Sequence, residues 1–199
     1  MKIYNFEQWT EEWFNIRKFK MTASNAQTIS VNWKWLETYI YNLVAESFSK
    51  GERMNYTNEH MKRWNELEEF ARELYELETW NKVKQVWFIE LSEYIWCSPD
   101  WLIWEEWWLE IKCLMDSKHF WHILWLEELD KWHLAQIQMC MYVTWRQWWD
   151  YVLFNPNYDK SLIIHRINRD EDFIFKLKQW LIIWEQKIKD LINKYNKLW

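Results

Sequence analysis

One glycine, Gly51, stands in this chain against 21 tryptophans. A chain of this length ordinarily carries about 14 glycines, roughly 7%. Glycine is the residue that enters positive φ without steric cost, and a Cβ held there costs about 1–2 kcal/mol. An indole has the opposite needs. It brings on the order of 200 Å² to be buried and an N–H to be satisfied. The tryptophans nevertheless stand where turn chemistry expects glycine. "VNWKWLE" reads as a loop before a helix, with Trp33 and Trp35 at the turn positions. Trp80 in "LETWNKV" falls just past a helical pattern, where a left-handed C-cap belongs. "SPDWL" and "IWEEWWLEI" place Trp101, Trp104, Trp107 and Trp108 in turn and hairpin connections. Trp125, Trp132 and Trp145 fall at similar breaks. Trp13, Trp121, Trp148 and Trp149 instead fit helical or strand patterns as they stand. The pattern is that of glycines written as tryptophan, as when a UGA codon meaning glycine in one variant code is translated as tryptophan by another. The codon at Trp101 decides this, because UGG there ends the idea. With strain and overpacking repeated at some sixteen such sites, the chain carrying every tryptophan is expected to aggregate.

The remaining composition sets bounds. The length of 199 residues suits one domain, 1–199, with a real core. "MKIYNFEQW" holds no apolar run of a secretory leader, and no stretch is apolar enough to span a membrane. Cys97, Cys113 and Cys140 are scattered without a CxxC pair, so a reducing, cytoplasmic setting is expected. A net charge of -5 does not advertise nucleic-acid binding, although metal-holding carboxylates would push the sum that way. Along the chain, helices are expected over 5–19, 36–49 (ended by Gly51), 58–78, 117–128, 131–143 and 171–197. Thr22 or Ser24 is a candidate N-cap. Leu67, Phe70, Leu74 and Leu77 mark the apolar face of the 58–78 helix. Strand signals lie in 82–91, 94–103, 109–115, 147–154 and 161–168. This order predicts an α/β fold with a central mixed β-sheet flanked by helices.

Chemistry gathers in the middle. Asp100 ends one strand region, and Glu110 and Lys112 lie two apart in the next, on one face of it. A hairpin-like return would bring Asp100 to them. Two converging carboxylates suit a hard divalent cation such as Mg²⁺, and the neighbouring ammonium would orient a water for attack on a phosphodiester. Taken alone, a D…ExK pattern is more often a solvated face. Glu68 with Arg72 at i+4 reads as a surface ion pair. Gln136 and Gln138 cannot both face one site, and spacing favours Gln136, on the face of His133 and Cys140. His119 and His122 could bind zinc but lack an evident third ligand.

The company of these residues resembles a known family from about Gln8 to Asp172. "WFNIRKFKMTAS" is similar to a W…R…TAS signature, "WNELEEFAR" to G-x-x-x-E-x-x-A-R, "CSPDWL" to C-S-P-D-G-L and "LEIKC" to L-E-[IL]-K-C-P. "HLAQIQMCMYVTW" is similar to a Y-x-x-Q-x-Q helix and "WWDYVLFNP" to the strand after it. This is the pattern of the YqaJ-type viral recombinases, the lambda exonuclease family, within the PD-(D/E)XK nucleases. Leu114 replaces a usual proline, and His133 stands where tyrosine is frequent. The resemblance implies a restriction-endonuclease-like core and a metal-dependent exonuclease acting 5′ to 3′ on linear duplex DNA. It implies that Asp100 and Glu110 ligate Mg²⁺ (or Mn²⁺), with the Ile111 carbonyl completing the shell, and that Lys112 activates or positions the water. Glu68 would approach through a water or a second metal, and Gln136 would orient the nucleophile or Lys112. Arg17, Ser24 and Ser98 would hold the terminal 5′ phosphate. The partners implied are double-stranded DNA ends, further copies of the chain in a ring-shaped trimer, and a single-strand annealing protein in a bacterial cytoplasm. Lysines of the 171–197 helix are candidates for DNA backbone contacts. The alternative from another class is a non-catalytic DNA-end-binding scaffold on a degenerate nuclease fold.

Overall fold

The computed structural model describes residues 2–4, 10–31, 33–50, 59–86, 88–103, 107–125 and 129–198. The chain runs β1 (Lys2–Tyr4), α1 (Glu11–Ile16), β2 (Met21–Thr22), a 3₁₀ turn (Ala23–Asn25), α2 (Ala26–Val31), α3 (Trp33–Phe48) and α4 (Glu59–Thr79). It continues through β3 (Val83–Gln85), β4 (Phe88–Ser92), β5 (Ile95–Cys97), β6 (Trp101–Ile103) and β7 (Trp107–Cys113). Then come α5 (Asp116–Leu124), α6 (Lys131–Thr144), β8 (Trp148–Phe154), β9 (Leu162–Asn168) and α7 (Glu171–Asn196).

The mixed α/β expectation holds, with one correction. The strands form two sheets rather than one, a four-stranded sheet ordered β1-β4-β5-β2 and a five-stranded sheet ordered β3-β6-β7-β8-β9. Both are mixed, with β2–β5 and β7–β8 parallel and the other pairs antiparallel. After β3 in the five-stranded sheet the chain crosses to the four-stranded one for β4 and β5, leaves it after Cys97 and returns to the five-stranded sheet at Trp101. Between them lies Pro99, which has no N–H for a ladder and so ends a strand. Asp100 sits in this bend.

Strand alternation sorts the core. Trp108 of β7 and Trp149, Tyr151 and Leu153 of β8 belong to one cluster, which also takes in residues of α2, α3, α6 and α7. Leu109 and Ile111 of β7 and Val152 and Phe154 of β8 face the other way, into a cluster with Ala71 and Tyr75 of α4. Helix α6 is sunk in the larger cluster: Ala135, Ile137, Met139, Cys140, Met141 and Val143 are all buried, as a helix apolar nearly all round must be.

Several expectations shift. The N-terminal helix is confined to Glu11–Ile16; Lys2–Tyr4 pair instead with β4, and 5–9 lie outside the described residues. Thr22 caps the 3₁₀ turn by position, without a side-chain bond to the backbone; its hydroxyl meets that of Ser24 at 3.3 Å instead. Gly51 lies outside the described residues. On α4, Ala71 and Tyr75 are buried and Leu67 and Leu74 half-buried, while Phe70 and Leu77 face solvent. The buried stripe is rotated because Tyr75 reaches a buried acceptor, the Asp150 carboxylate, at 2.7 Å.

The tryptophans divide. Trp80 and Trp145 hold φ of 60° and 61° just past α4 and α6. Their N–H groups bond the carbonyls of Glu76 and Met141, as left-handed caps do. Trp125 ends α5 at φ -125°. Trp33 and Trp35 lie in α3, Trp132 in the first turn of α6, Trp101 opens β6, and Trp107 and Trp108 lie in β7. None of these has positive φ, so the backbone argument for glycine holds at two positions and not across the set. Trp104 lies outside the described residues. Burial raises a separate difficulty: the indole N–H groups of Trp96, Trp108, Trp149 and Trp184 are buried without a hydrogen-bond partner among the described residues. Each such group costs about 1–3 kcal/mol.

Candidate active site

Strand β7 supplies two of the site's groups. Glu110 and Lys112 share the face turned to α6, and Lys112 Nζ lies 2.5 Å from Glu110 Oε1. Glu110 is 1% exposed. Gln136, on α6, donates its amide to the same oxygen at 2.6 Å. The other oxygen, Oε2, is buried with no partner among the described residues. A buried carboxylate oxygen left bare demands an explanation.

Asp100 arrives from the bend. Antiparallel pairing sets Trp101 opposite Leu109, so one step back along the chain brings Asp100 beside Glu110. The Ile111 N–H fixes it there, donating to Asp100 Oδ2 at 3.0 Å. From the other face of the sheet, α4 contributes Glu68. Its carboxylate accepts from the Trp101 indole at 3.1 Å. The Glu68–Arg72 ion pair suggested by spacing does not form; Arg72 bonds Glu69 and Glu76 instead. Its guanidinium also lies 5.4 Å from the Trp101 ring centroid. A cavity of about 230 Å³ opens on this centre, lined by Glu68, Asp100, Ile111, Lys112, Cys113, Leu114, Met115, Lys118 and His133.

The charges are under tension. Burial, then the Glu110 and Glu68 carboxylates, push the Asp100 carboxyl well above its ordinary range. Burial likewise raises Glu68, against the Trp101 bond, with Glu110 adding to the rise. For Lys112, burial pulls the pKa down, but Glu110 and Asp100 outweigh it and the ammonium keeps its proton more firmly than usual. Burial carries the Cys113 thiol up to about 12, so it is no nucleophile. Among the described residues no three His, Cys, Asp or Glu side chains close on one point as an ion's ligands. A cation here would therefore rest on Asp100 and Glu110, with backbone and solvent oxygens for the rest and Glu68 more remote. The bare Glu110 Oε2 beside a crowded Asp100 is the feature that fits such an ion, and an all-oxygen set suits a hard one.

The other predicted residues fall as follows. Gln136 faces the centre. Gln138 is used structurally, donating to the Asn168 carbonyl and accepting from the Asp170 N–H, both at 2.8 Å. Parallel pairing of β2 with β5, Thr22 opposite Trp96, lets Ser24 and Ser98 leave the same end of the first sheet. The Arg17 guanidinium lies 3.9 Å from the Trp13 ring centroid and 4.9 Å from that of Trp96, which fixes it beside β5. His119 is engaged through Nε2 with the Lys160 carbonyl at 2.8 Å. Sequence reasoning missed three residues at the centre: Lys118, Trp101 as the partner of Glu68, and Tyr151. None of the three carried a signal in the sequence; Tyr151 reaches the centre only because β8 pairs parallel to β7 with Tyr151 opposite Glu110.

Comparison with known proteins identifies the family and the fold. Residues 12–147 match the model of the YqaJ-like viral recombinase domain. The chain is similar to the crystal structure of an alkaline exonuclease, LHK-Exo, from Laribacter hongkongensis, at 29% identity and TM-score 0.79, covering 96% of this chain and 100% of that one. The same enzyme in complex with dAMP aligns with TM-score 0.80 and the same identity and coverage. A phage-related exonuclease from Haemophilus somnus 129PT shares the fold at 19% identity and TM-score 0.57, covering 88% of this chain and 96% of that one. No curated protein sequence matches. With well over half of its length matched, from 12 to 147, the chain belongs to the YqaJ-like viral recombinase domain family.

Proposed function

We propose that this protein is a metal-dependent DNA exonuclease of phage-type recombination, hydrolysing phosphodiester bonds of linear duplex DNA from the 5′ end. The observation that carries this reading is the meeting of Asp100, Glu110, Lys112 and Gln136 at one centre, with Glu110 Oε2 buried and without a partner among the described residues. Asp100 and Glu110 would hold Mg²⁺, or Mn²⁺ in its place, with the Ile111 carbonyl. The ion when bound supplies Lewis acidity toward water and the phosphate. Lys112, keeping its proton, orients the attacking water and faces the developing charge rather than abstracting a proton. Gln136 holds Glu110 at the oxygen that Lys112 also grips. Glu68 acts from α4 at longer range, through solvent or a second ion. Arg17, Ser24 and Ser98 would take the terminal 5′ phosphate, Arg17 through paired guanidinium donors. The likeness to the alkaline exonuclease along nearly its whole length supports the substrate class. We place a homotrimer around the duplex and a single-strand annealing protein downstream in the same proposal.

Cleavage of a 5′-phosphorylated linear duplex, followed with Mg²⁺ and with EDTA, tests it. Asp100→Ala should abolish digestion and leave binding to duplex ends intact. Digestion that persists in Asp100→Ala removes the metal assignment. Binding to ends without cleavage in either Mg²⁺ or Mn²⁺ replaces the enzyme with an end-binding scaffold.

A further inference from the structure

One histidine lines the cleft and has no part in the mechanism above. On α6, His133 and Gln136 lie one turn apart and both reach β7–β8. Gln136 takes Glu110, and His133 takes Tyr151 with Nδ1 2.5 Å from Oη. Glu110 and Tyr151 are register partners on neighbouring parallel strands. The helix therefore lays an amide and an imidazole side by side over a carboxylate and a phenol, and His133 borders the cavity beside Asp100 and Lys112.

The buried phenol settles the tautomer. Tyr151 is wholly buried, and among the described residues His133 is the hydrogen-bond partner of its hydroxyl. A buried O–H needs an acceptor. If Nδ1 carried the ring proton, both groups would offer a donor and the phenolic proton would have nowhere to go. The Tyr151 O–H therefore donates to Nδ1, and the one proton of the neutral ring sits on Nε2, at the opposite edge. Burial first, and Lys112 second, hold the ring neutral, lowering its pKa to about 4. A neutral imidazole with a fixed Nε2–H is a hydrogen-bond donor and a poor proton donor.

We infer that His133 contacts the substrate: its Nε2–H donates to a non-bridging oxygen of the phosphate held at Asp100, Glu110 and Lys112, and Tyr151 is the positioning residue that fixes this tautomer. The inference rests on the nuclease reading of the cleft. It assigns His133 to binding a phosphodiester oxygen and excludes it as the acid that protonates the leaving group.

Side-chain geometry offers a test, since an Asn amide nitrogen falls near Nδ1 of histidine and a Gln amide nitrogen near Nε2. Single-turnover cleavage of a 5′-phosphorylated linear duplex with Mg²⁺ is measured for His133→Asn, His133→Gln and Tyr151→Phe, with duplex-end affinity in Ca²⁺ measured in parallel. His133→Asn should lose about 10- to 100-fold, the usual worth of a hydrogen bond to a charged group. His133→Gln should recover most of that loss, and Tyr151→Phe should fall between them. Should the Asn variant fail to fold, His133→Ala with and without added imidazole replaces it, and imidazole should restore cleavage. Full activity in Asn with loss in Gln overturns the inference, because His133 then only props Tyr151. Wild-type rates in all variants, or in His133→Ala without imidazole, overturn it equally. A wild-type protein that binds ends but never cuts removes the nuclease reading; the order of Ca²⁺ affinities, Gln above Asn, then still decides His133.

Discussion

Trp80 and Trp145 hold a conformation that a Cβ resists, and they gain little from it. Both project into solvent, at 86% and 66% exposure, so replacing either with glycine removes strain without opening a cavity. Trp80→Gly and Trp145→Gly should each raise stability by about 1–2 kcal/mol, read as a shift in the denaturant midpoint. Trp108→Gly should do the reverse, because Trp108 is packed in the core. Asp100 makes a second case at this scale. Its carboxyl is raised well above the usual range by burial and by its acidic neighbours, so ionisation costs the folded state. The metal-free protein should become more stable on Asp100→Asn and lose cleavage at the same time. Mg²⁺ should raise the melting temperature of the parent and leave that of Asp100→Asn nearly unmoved, as calorimetry would read. The individual residues Asp100, Glu110, Lys112 and Gln136 were legible in the sequence because short motifs carried them. Lys118 was not, since a lone lysine in a first helical turn looks like any solvated one.

Two elements, α4 and α6, bring the centre together from opposite faces of the five-stranded sheet. Their anchors differ. Helix α6 is held by apolar burial on nearly every side, with Gln136 and His133 as polar exceptions toward β7 and β8 and Gln138 toward the end of β9. Helix α4 is pinned by Tyr75, whose hydroxyl donates to Asp150 at 2.7 Å, while Arg166 grips the same carboxylate at 3.0 and 3.1 Å. Asp150→Ala strands the Tyr75 hydroxyl, which should cost about 1–3 kcal/mol. It should also lower cleavage by loosening the helix that carries Glu68, and Asp150→Asn should restore part of both. This anchor explains why the apolar pattern misplaced the face of α4. Phe70 and Leu77 satisfy the helical period as well as Ala71 and Tyr75 do, and only the position of Asp150 on β8 selects between them. Helix boundaries were legible within a few residues where capping groups exist, such as Asp130 before α6 and Asp170 before α7, whose carboxylates accept from Trp132 and Phe173 N–H.

For the molecule as a whole, the histidines set how it meets acid. Burial is the main cause that lowers His122, His133 and His165 from the ordinary 6.5, with His133 reaching about 4. The unfolded chain takes up these protons as pH falls below about 6.5, while the native state refuses them. The histidine contribution to stability is therefore full above that range and is lost progressively as pH falls toward 4. Asp100 and Glu68, whose carboxyls are raised, contribute with the opposite sign, so the check is a comparison: as pH falls through this window the melting temperature of His133→Gln should rise relative to that of the parent. Contact with DNA adds a dependence on salt. Lys176, Lys178 and Lys194 lie exposed on α7, whereas Lys187 and Lys189 pair with Glu37 and Glu185. If α7 lies against the duplex, charge removal at the first three should flatten the salt dependence of end binding, and removal at the paired two should change it less. Among the described residues no helix is long and apolar enough to cross a membrane.

The sequence by itself determined the α/β order of elements, the placement of Glu110 and Lys112 on one strand face, and the choice of Gln136 over Gln138. Each follows from a local period, 2.0 along a strand or 3.6 along a helix. The tertiary structure alone decided that the strands sort into two sheets, with β3 joining β6 rather than β4, that Trp101 rather than Arg72 meets Glu68, and that Tyr151 stands behind His133. These depend on register between segments far apart in the chain, which a one-dimensional pattern does not encode. The tryptophans obey the same division: their number was plain on the page, but only backbone angles separate the two that strain a left-handed cap from those that lie in ordinary helix and strand.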